Sequence, residues 1–263
     1  MYSCFVHLTA IAGAFAQDAS GLGFGGVSDY IASTRPGPAN DSLSFGQHYA
    51  VLNLDLINGL VVPLVSQPAG DAFINNTAHC IDAVHAQNPP PLSIFTRIYF
   101  DNDEKPEIKP GSGFELVSAP LTTANASATQ IYSAFHVDEA AGDVVLQKTR
   151  YYVGTSNSME GILRAQGIET VILSGLRTSG VIISTAYRLF DLHYNVSVLC
   201  LGYHLCARVD RLSFIIADNT IETSPDSPGI NTAILEGIVP KLPAKVITFA
   251  QAIAALDVSG NAA

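Results

Sequence analysis

The sequence predicts an α/β fold: a central parallel sheet with helices on both of its faces, three layers in all. Two observations carry that prediction. Short apolar runs of strand length, at residues 49–54, 92–99, 143–147 and 170–173, alternate with stretches of helical spacing. Such an order calls for parallel strands joined by crossover helices. The chain also has the size of one large domain, with 263 residues, 48% hydrophobic and 14% charged, which is enough apolar surface for a single buried core.

Along the chain, residues 1–16 are a short apolar run closing on Ala14-Phe15-Ala16, the small-residue pattern of a secretory cleavage site before Gln17. A secreted protein is therefore expected, with a cytoplasmic one as the alternative. Sequons begin at Asn40, Asn75, Asn125 and Asn195 and would take glycans on that route. Residues 17–47 are rich in Gly, Ser and Pro and read as an extended lead-in, not a core element. The domain is expected over residues 48–256.

Its first strand is the apolar run 49–54, which ends at Asp55, and a helix is expected over 71–84. The second strand covers 92–99. Residues 100–133, with Pro106, Pro110 and Pro120, read as a surface excursion of the kind that often roofs a site. The third strand, 143–147, runs into Lys148, and the fourth covers 170–173. A helix over 181–194 follows Thr178-Ser179-Gly180, good capping chemistry. Beyond it the chain offers two candidate strands, 196–201 and 212–217. Removing residues 199–214 would join them into one, so an insertion is expected there, either a genuine loop or translated non-coding sequence.

Asp55, Lys148 and the loop from Gly175 to Val181 all fall where an open parallel sheet binds ligands, outside the carboxyl ends of its strands. The three segments, in this order and with this spacing, resemble the isochorismatase-like (cysteine hydrolase) superfamily over roughly residues 45–255. The resemblance implies a Rossmann-like three-layer fold and gives Asp55 and Lys148 catalytic roles. It also places Val181 where the thiol members carry their nucleophilic cysteine. Valine cannot attack a carbonyl, so amidase chemistry is not expected. Members without the cysteine imply another route, in which Asp55 protonates an enolpyruvyl ether and Lys148 orients it. A cis peptide at Leu176-Arg177 is expected by resemblance, and Leu176, Arg177 and Thr178 complete the substrate-binding set. Arg177 reads equally as a carboxylate clamp or a surface arginine. Ile57 stands where a glutamine is usual.

No metal and no cofactor is expected, because residues 97–101 lack the family's metal-binding histidine and the cysteines have no metal spacing. A net charge of −10 from only 13 Lys and Arg argues against nucleic acid or an anionic membrane as partner, and no run after residue 16 is long enough to span a bilayer. The expected partner is a small-molecule substrate, with a homo-oligomer implied by resemblance only. The leading expectation is a thiol-independent hydrolase of a small anionic substrate. The alternative is a catalytically inactive pseudoenzyme that keeps the pocket as a small-molecule binding or interaction module.

Overall fold

A computed structural model describes residues 43–194, 212–221, 229–242 and 244–260. Among the described residues, six strands form one sheet in the order β3-β2-β1-β4-β5-β6. They are β1 (Tyr49–Leu54), β2 (Leu92–Ile98), β3 (Val144–Lys148), β4 (Thr170–Leu176), β5 (Leu212–Ile221) and β6 (Lys245–Ile247). Every pairing is parallel. The chain builds outward from β1 to β3 and then restarts on the other side at β4, so the order reverses between β1 and β4. A crevice opens at such a reversal.

Burial explains why the inner strands read as continuous apolar runs. All six residues of β1 and all seven of β4 are buried, as expected for strands covered on both faces. Alternate side chains go to opposite layers. Ala50, Leu52 and Leu54 join Met159 and Leu163 of α3 (Met159–Ala165) and Ala186 and Leu189 of α4 (Ile183–Asp191). Tyr49 and Val51 join Cys80 and Val84 of α1 (Pro68–His85) and Ala252, Ala255 and Leu256 of α6 (Phe249–Gly260).

Helix α1 begins with a proline in its first turn, where no intrahelical donor is lost. Asp71 sits in that turn and His85 in the last, both suited to the helix dipole. Phe73, Ile74, Thr77, Cys80, Ile81 and Val84 form its buried stripe.

The 100–133 excursion holds a short α-helix, α2 (Gly113–Ser118), and a 3-10 turn at Ser127–Thr129, and folds back on the sheet. Backbone bonds fasten its far half to the chain after β1, with Asn58 N–H donating to Gln130 O (2.8 Å) and Tyr132 N–H to Leu56 O (2.9 Å), and tie its start to its far half, with Phe100 N–H donating to Thr122 O (2.9 Å).

Three expectations need correction. The lead-in is not free of core residues, because Phe45 is buried and its ring packs 5.5 Å from that of Tyr49. The helix after β4 starts earlier than expected, with a π-helical turn at Thr178–Ile182 before α4. Finally, β5 takes the second candidate strand, and it begins with Leu212, Ser213 and Phe214, which pair with Thr170, Val171 and Ile172. Those three residues, the last of the expected insertion, belong to the sheet and not to a loop; residues 199–211, the candidate strand at 196–201 and the secretory segment lie outside the described residues.

Candidate active site

Asp55 leaves the end of β1 with a positive φ of 57°. That turn brings its backbone N–H to Thr96 Oγ1 on neighbouring β2 (3.0 Å), and the same hydroxyl donates to Asp55 Oδ1 (2.9 Å). The other carboxylate oxygen, Oδ2, lies 2.6 Å from Lys148 Nζ. Lys148 ends β3, so the pair spans the carboxyl ends of three adjacent strands. Both side chains are buried: Lys148 is fully enclosed and Asp55 is 2% exposed.

Lys148 Nζ has two further contacts, with the carbonyls of Arg150 (3.1 Å) and Tyr151 (3.0 Å). Burial is the largest influence on both groups. It pushes the Asp55 carboxyl above its ordinary value, against the opposing pull of the Lys148 charge and the hydrogen bonds from Lys148 and Thr96. It pushes Lys148 below its ordinary value, against the attraction of Asp55. Both shifts favour a neutral acid beside a neutral amine. The geometry serves either state: an ammonium sends its three N–H groups to Asp55 Oδ2 and the two carbonyls, and a neutral amine sends two to the carbonyls and turns its lone pair to a protonated Asp55.

On the other side of the crevice, Gly175 of β4 has φ 140°, and a Cβ there would run into the Leu54 carbonyl. Only glycine lets β4 approach β1 so closely. The Leu176–Arg177 peptide is cis, as the resemblance implied. Gly180 and Ile182 N–H then donate to Arg177 O (3.1 and 3.3 Å), closing the turn.

The expected ligand-binding residues separate here. Arg177 is exposed. Leu176 is enclosed in a cluster with Leu56 and Phe95, so anything it offers a ligand comes from its backbone. Thr178 is also enclosed, and its hydroxyl donates to Asn231 Oδ1 (2.6 Å) on α5 (Gly229–Thr232). Val181 is 1% exposed and belongs to an apolar cluster with Leu54, Val153 and Ile182. Ile57 is equally committed, buried with Ile98, Phe100, Ile108 and Leu121 and bridged to Ile131 of the excursion.

Sequence reasoning missed Thr96, Arg150, Tyr151 and Asn231. Thr96 was within reach, since a polar residue inside a buried strand needs a partner. The carbonyls of Arg150 and Tyr151 left no signal in residue type. Arg97 is engaged by the excursion: its guanidinium donates to the carbonyls of Thr129 (2.7 Å) and Ala124 (2.6 Å) and lies over the Tyr99 ring. Among the described residues, no three His, Cys, Asp or Glu side chains converge as a metal site, and no helix is long and apolar enough to cross a membrane.

The family model of the isochorismatase domain matches residues 49–200. No curated protein matches the chain. Among solved structures, an isochorismatase family protein from Burkholderia thailandensis is 23% identical with a TM-score of 0.54, the match covering 81% of this chain and 98% of that one. A cysteine hydrolase from Pseudomonas syringae pv. phaseolicola aligns with a TM-score of 0.61 at 14% identity, over 81% of this chain and 94% of that one. The N-carbamoylsarcosine amidase of Thermoplasma acidophilum aligns at 15% identity and a TM-score of 0.53, over 77% and 96%. At these identities the likeness is one of fold.

Proposed function

Taking as premise that this chain belongs to the isochorismatase family of hydrolases, we propose that it hydrolyses a small anionic substrate by an Asp55–Lys148 mechanism that needs no thiol. The observation that carries the reading is the sealed Asp55–Lys148 contact of 2.6 Å, with burial holding Asp55 toward its acid form. A protonated carboxyl at neutral pH is what a general acid requires.

The substrate class is an enolpyruvyl ether. Asp55 gives its proton to the methylene carbon, and the ether-bearing carbon becomes an oxocarbenium ion. Lys148, beside the resulting carboxylate, stabilises that charge separation. Water adds to the cation and returns a proton to Asp55; the hemiketal then collapses to pyruvate and the free alcohol. Arg177, exposed beside the cis peptide, is the cation suited to meet a carboxylate arriving from solvent. Thiol chemistry has no agent among the described residues: Val181 stands on the loop after β4, and Cys80 is buried on α1 with its thiol pushed up to about 12 by burial.

A second reading has its own support. Val181 and Ile57 are both committed to apolar packing, which suits a binding module that has given up catalysis. Purified protein and its Asp55→Asn variant, supplied with isochorismate and with a panel of small amides, separate the two. Pyruvate released by the first and not the second supports the hydrolase. Silence in both channels from folded protein favours the binding module, and ammonia release would contradict the assignment of Val181. In the same proposal the protein works outside the cell; recovery from the medium with an N-terminus at Gln17 is the expected result, and retention of residues 1–16 in the cell would refute it.

A further inference from the structure

With the excursion docked, Lys148 has nothing left to offer a ligand. As an ammonium its three N–H groups go to Asp55 and to the carbonyls of Arg150 and Tyr151; as a neutral amine its two N–H groups go to those carbonyls and its lone pair to Asp55. Those same two residues hold the excursion through their side chains. The Arg150 guanidinium donates to the Glu107 carbonyl and lies 5.2 Å from the centroid of the Phe114 ring. The Tyr151 ring, 39% exposed, meets Phe114 edge-on at 5.4 Å. Its other neighbour is Gly180, where an added Cβ would come within 3.1 Å of the ring. One dipeptide thus touches the lysine with its backbone and the α2 turn with its side chains, beside the loop that carries Val181.

The two halves of the excursion are fastened differently. The half ending at Tyr132 is tied down by backbone hydrogen bonds to Leu56 and Asn58. The α2 turn is held by side chains alone: Ile108 and Phe114 pack in the cluster with Ile57 and Ile98, and Arg150 and Tyr151 clasp Phe114 from the loop after β3. Side-chain clasps open at lower cost than backbone ladders, so the α2 turn is the part suited to move. Movement is needed, because Asp55, Lys148 and Val181 are each 2% exposed or less.

We propose that Arg150 is a positioning residue that couples the α2 turn to Lys148. While the turn is docked, the Arg150 and Tyr151 carbonyls occupy the amine. When the Arg150–Phe114–Tyr151 clasp opens, the loop relaxes, the crevice admits an anionic ligand, and Lys148 exchanges a carbonyl for that ligand. The proposal rests on the hydrolase reading only for the identity of the ligand.

The test reads access instead of turnover. Val181→Cys puts a thiol on the loop after β4, while Cys80, buried on α1, reports unfolding in the same molecule. Iodoacetamide labelling is followed peptide by peptide by mass spectrometry, with Val181→Cys alone and combined with Arg150→Met, Arg150→Lys or Phe114→Ala. Labelling of the introduced thiol is expected to speed up about tenfold or more in all three combinations, with Cys80 unlabelled. Lysine should not rescue, because it lacks the planar guanidinium that both donates to a carbonyl and lies over a ring. Unchanged labelling with Cys80 protected, or full protection restored by Arg150→Lys, would overturn the proposal. Should Arg150→Met also expose Cys80, that variant has unfolded and the Phe114→Ala arm decides on the same criterion. Failure of the hydrolase reading would appear as absent pyruvate release and would leave this labelling result standing.

Discussion

On the β1–β2–β3 side of the crevice, Asp55, Thr96 and Lys148 are polar side chains sealed from solvent with partners for their polar atoms. On the β4 side, Leu176 and Val181 are apolar side chains sealed among others of their kind. Stability alone explains the second arrangement, since each enclosed aliphatic side chain contributes roughly 1.5–3 kcal/mol. It does not explain the first. A buried ion pair can commonly be replaced by apolar residues at no loss of stability, so the retained carboxyl and amine point to chemistry.

The largest expected effect separates the two sides directly. Asp55→Ala leaves an unpaired buried amine and should cost about 3–5 kcal/mol in urea denaturation, whereas Asp55→Leu combined with Lys148→Met should come back to within about 1 kcal/mol of the parent. Additive losses in the double variant would mean that the pair is a structural fixture. Next in size, Val181→Ala should cost roughly 1–3 kcal/mol through the cavity it leaves. A negligible change there would show that Val181 faces an open crevice and not a packed cluster.

A smaller effect concerns the ligand. Arg177→Ala should raise KM for a carboxylated substrate about tenfold, the worth of one charge-assisted hydrogen bond, without lowering the melting temperature. An unchanged KM would return Arg177 to the surface-arginine reading.

A further effect, confined to alkaline pH, tests whether Cys80 follows the apolar logic. Its thiol is pushed from 9.0 to about 12 by burial. Between those values the unfolded chain has lost the proton that the folded chain keeps, so stability falls as pH rises, by up to about 1.4 kcal/mol per pH unit. Cys80→Ala should flatten that part of the alkaline unfolding curve; an unaltered slope would show the thiol ionising normally.

How much of this was legible before folding depended on what each residue answers to. β1 runs over the residues expected of it, because a strand covered on both faces must be apolar throughout. Asp55 and Lys148 stood out as polar residues ending apolar runs. The cis bond at Leu176–Arg177 came from resemblance, not from residue type. What stayed hidden were contacts made by backbone or across long separations. Nothing in the types of Arg150 and Tyr151 announces that their carbonyls hold Lys148, and the Thr178–Asn231 bond joins residues 53 apart. Phe45 was lost in a stretch of turn-forming residues, where a single aromatic has no periodicity to betray its burial. The strand ends were legible, whereas the turns that complete the site depend on tertiary packing.

The general-acid mechanism requires Asp55 to be a neutral acid, and infrared difference spectroscopy between the parent protein and Asp55→Asn at neutral pH reads this directly. The account predicts the carbonyl stretch of a protonated carboxylic acid in the parent, absent from the variant. If the difference shows only the bands of a carboxylate, Asp55 is ionised beside an ammonium, and the general-acid mechanism is contradicted.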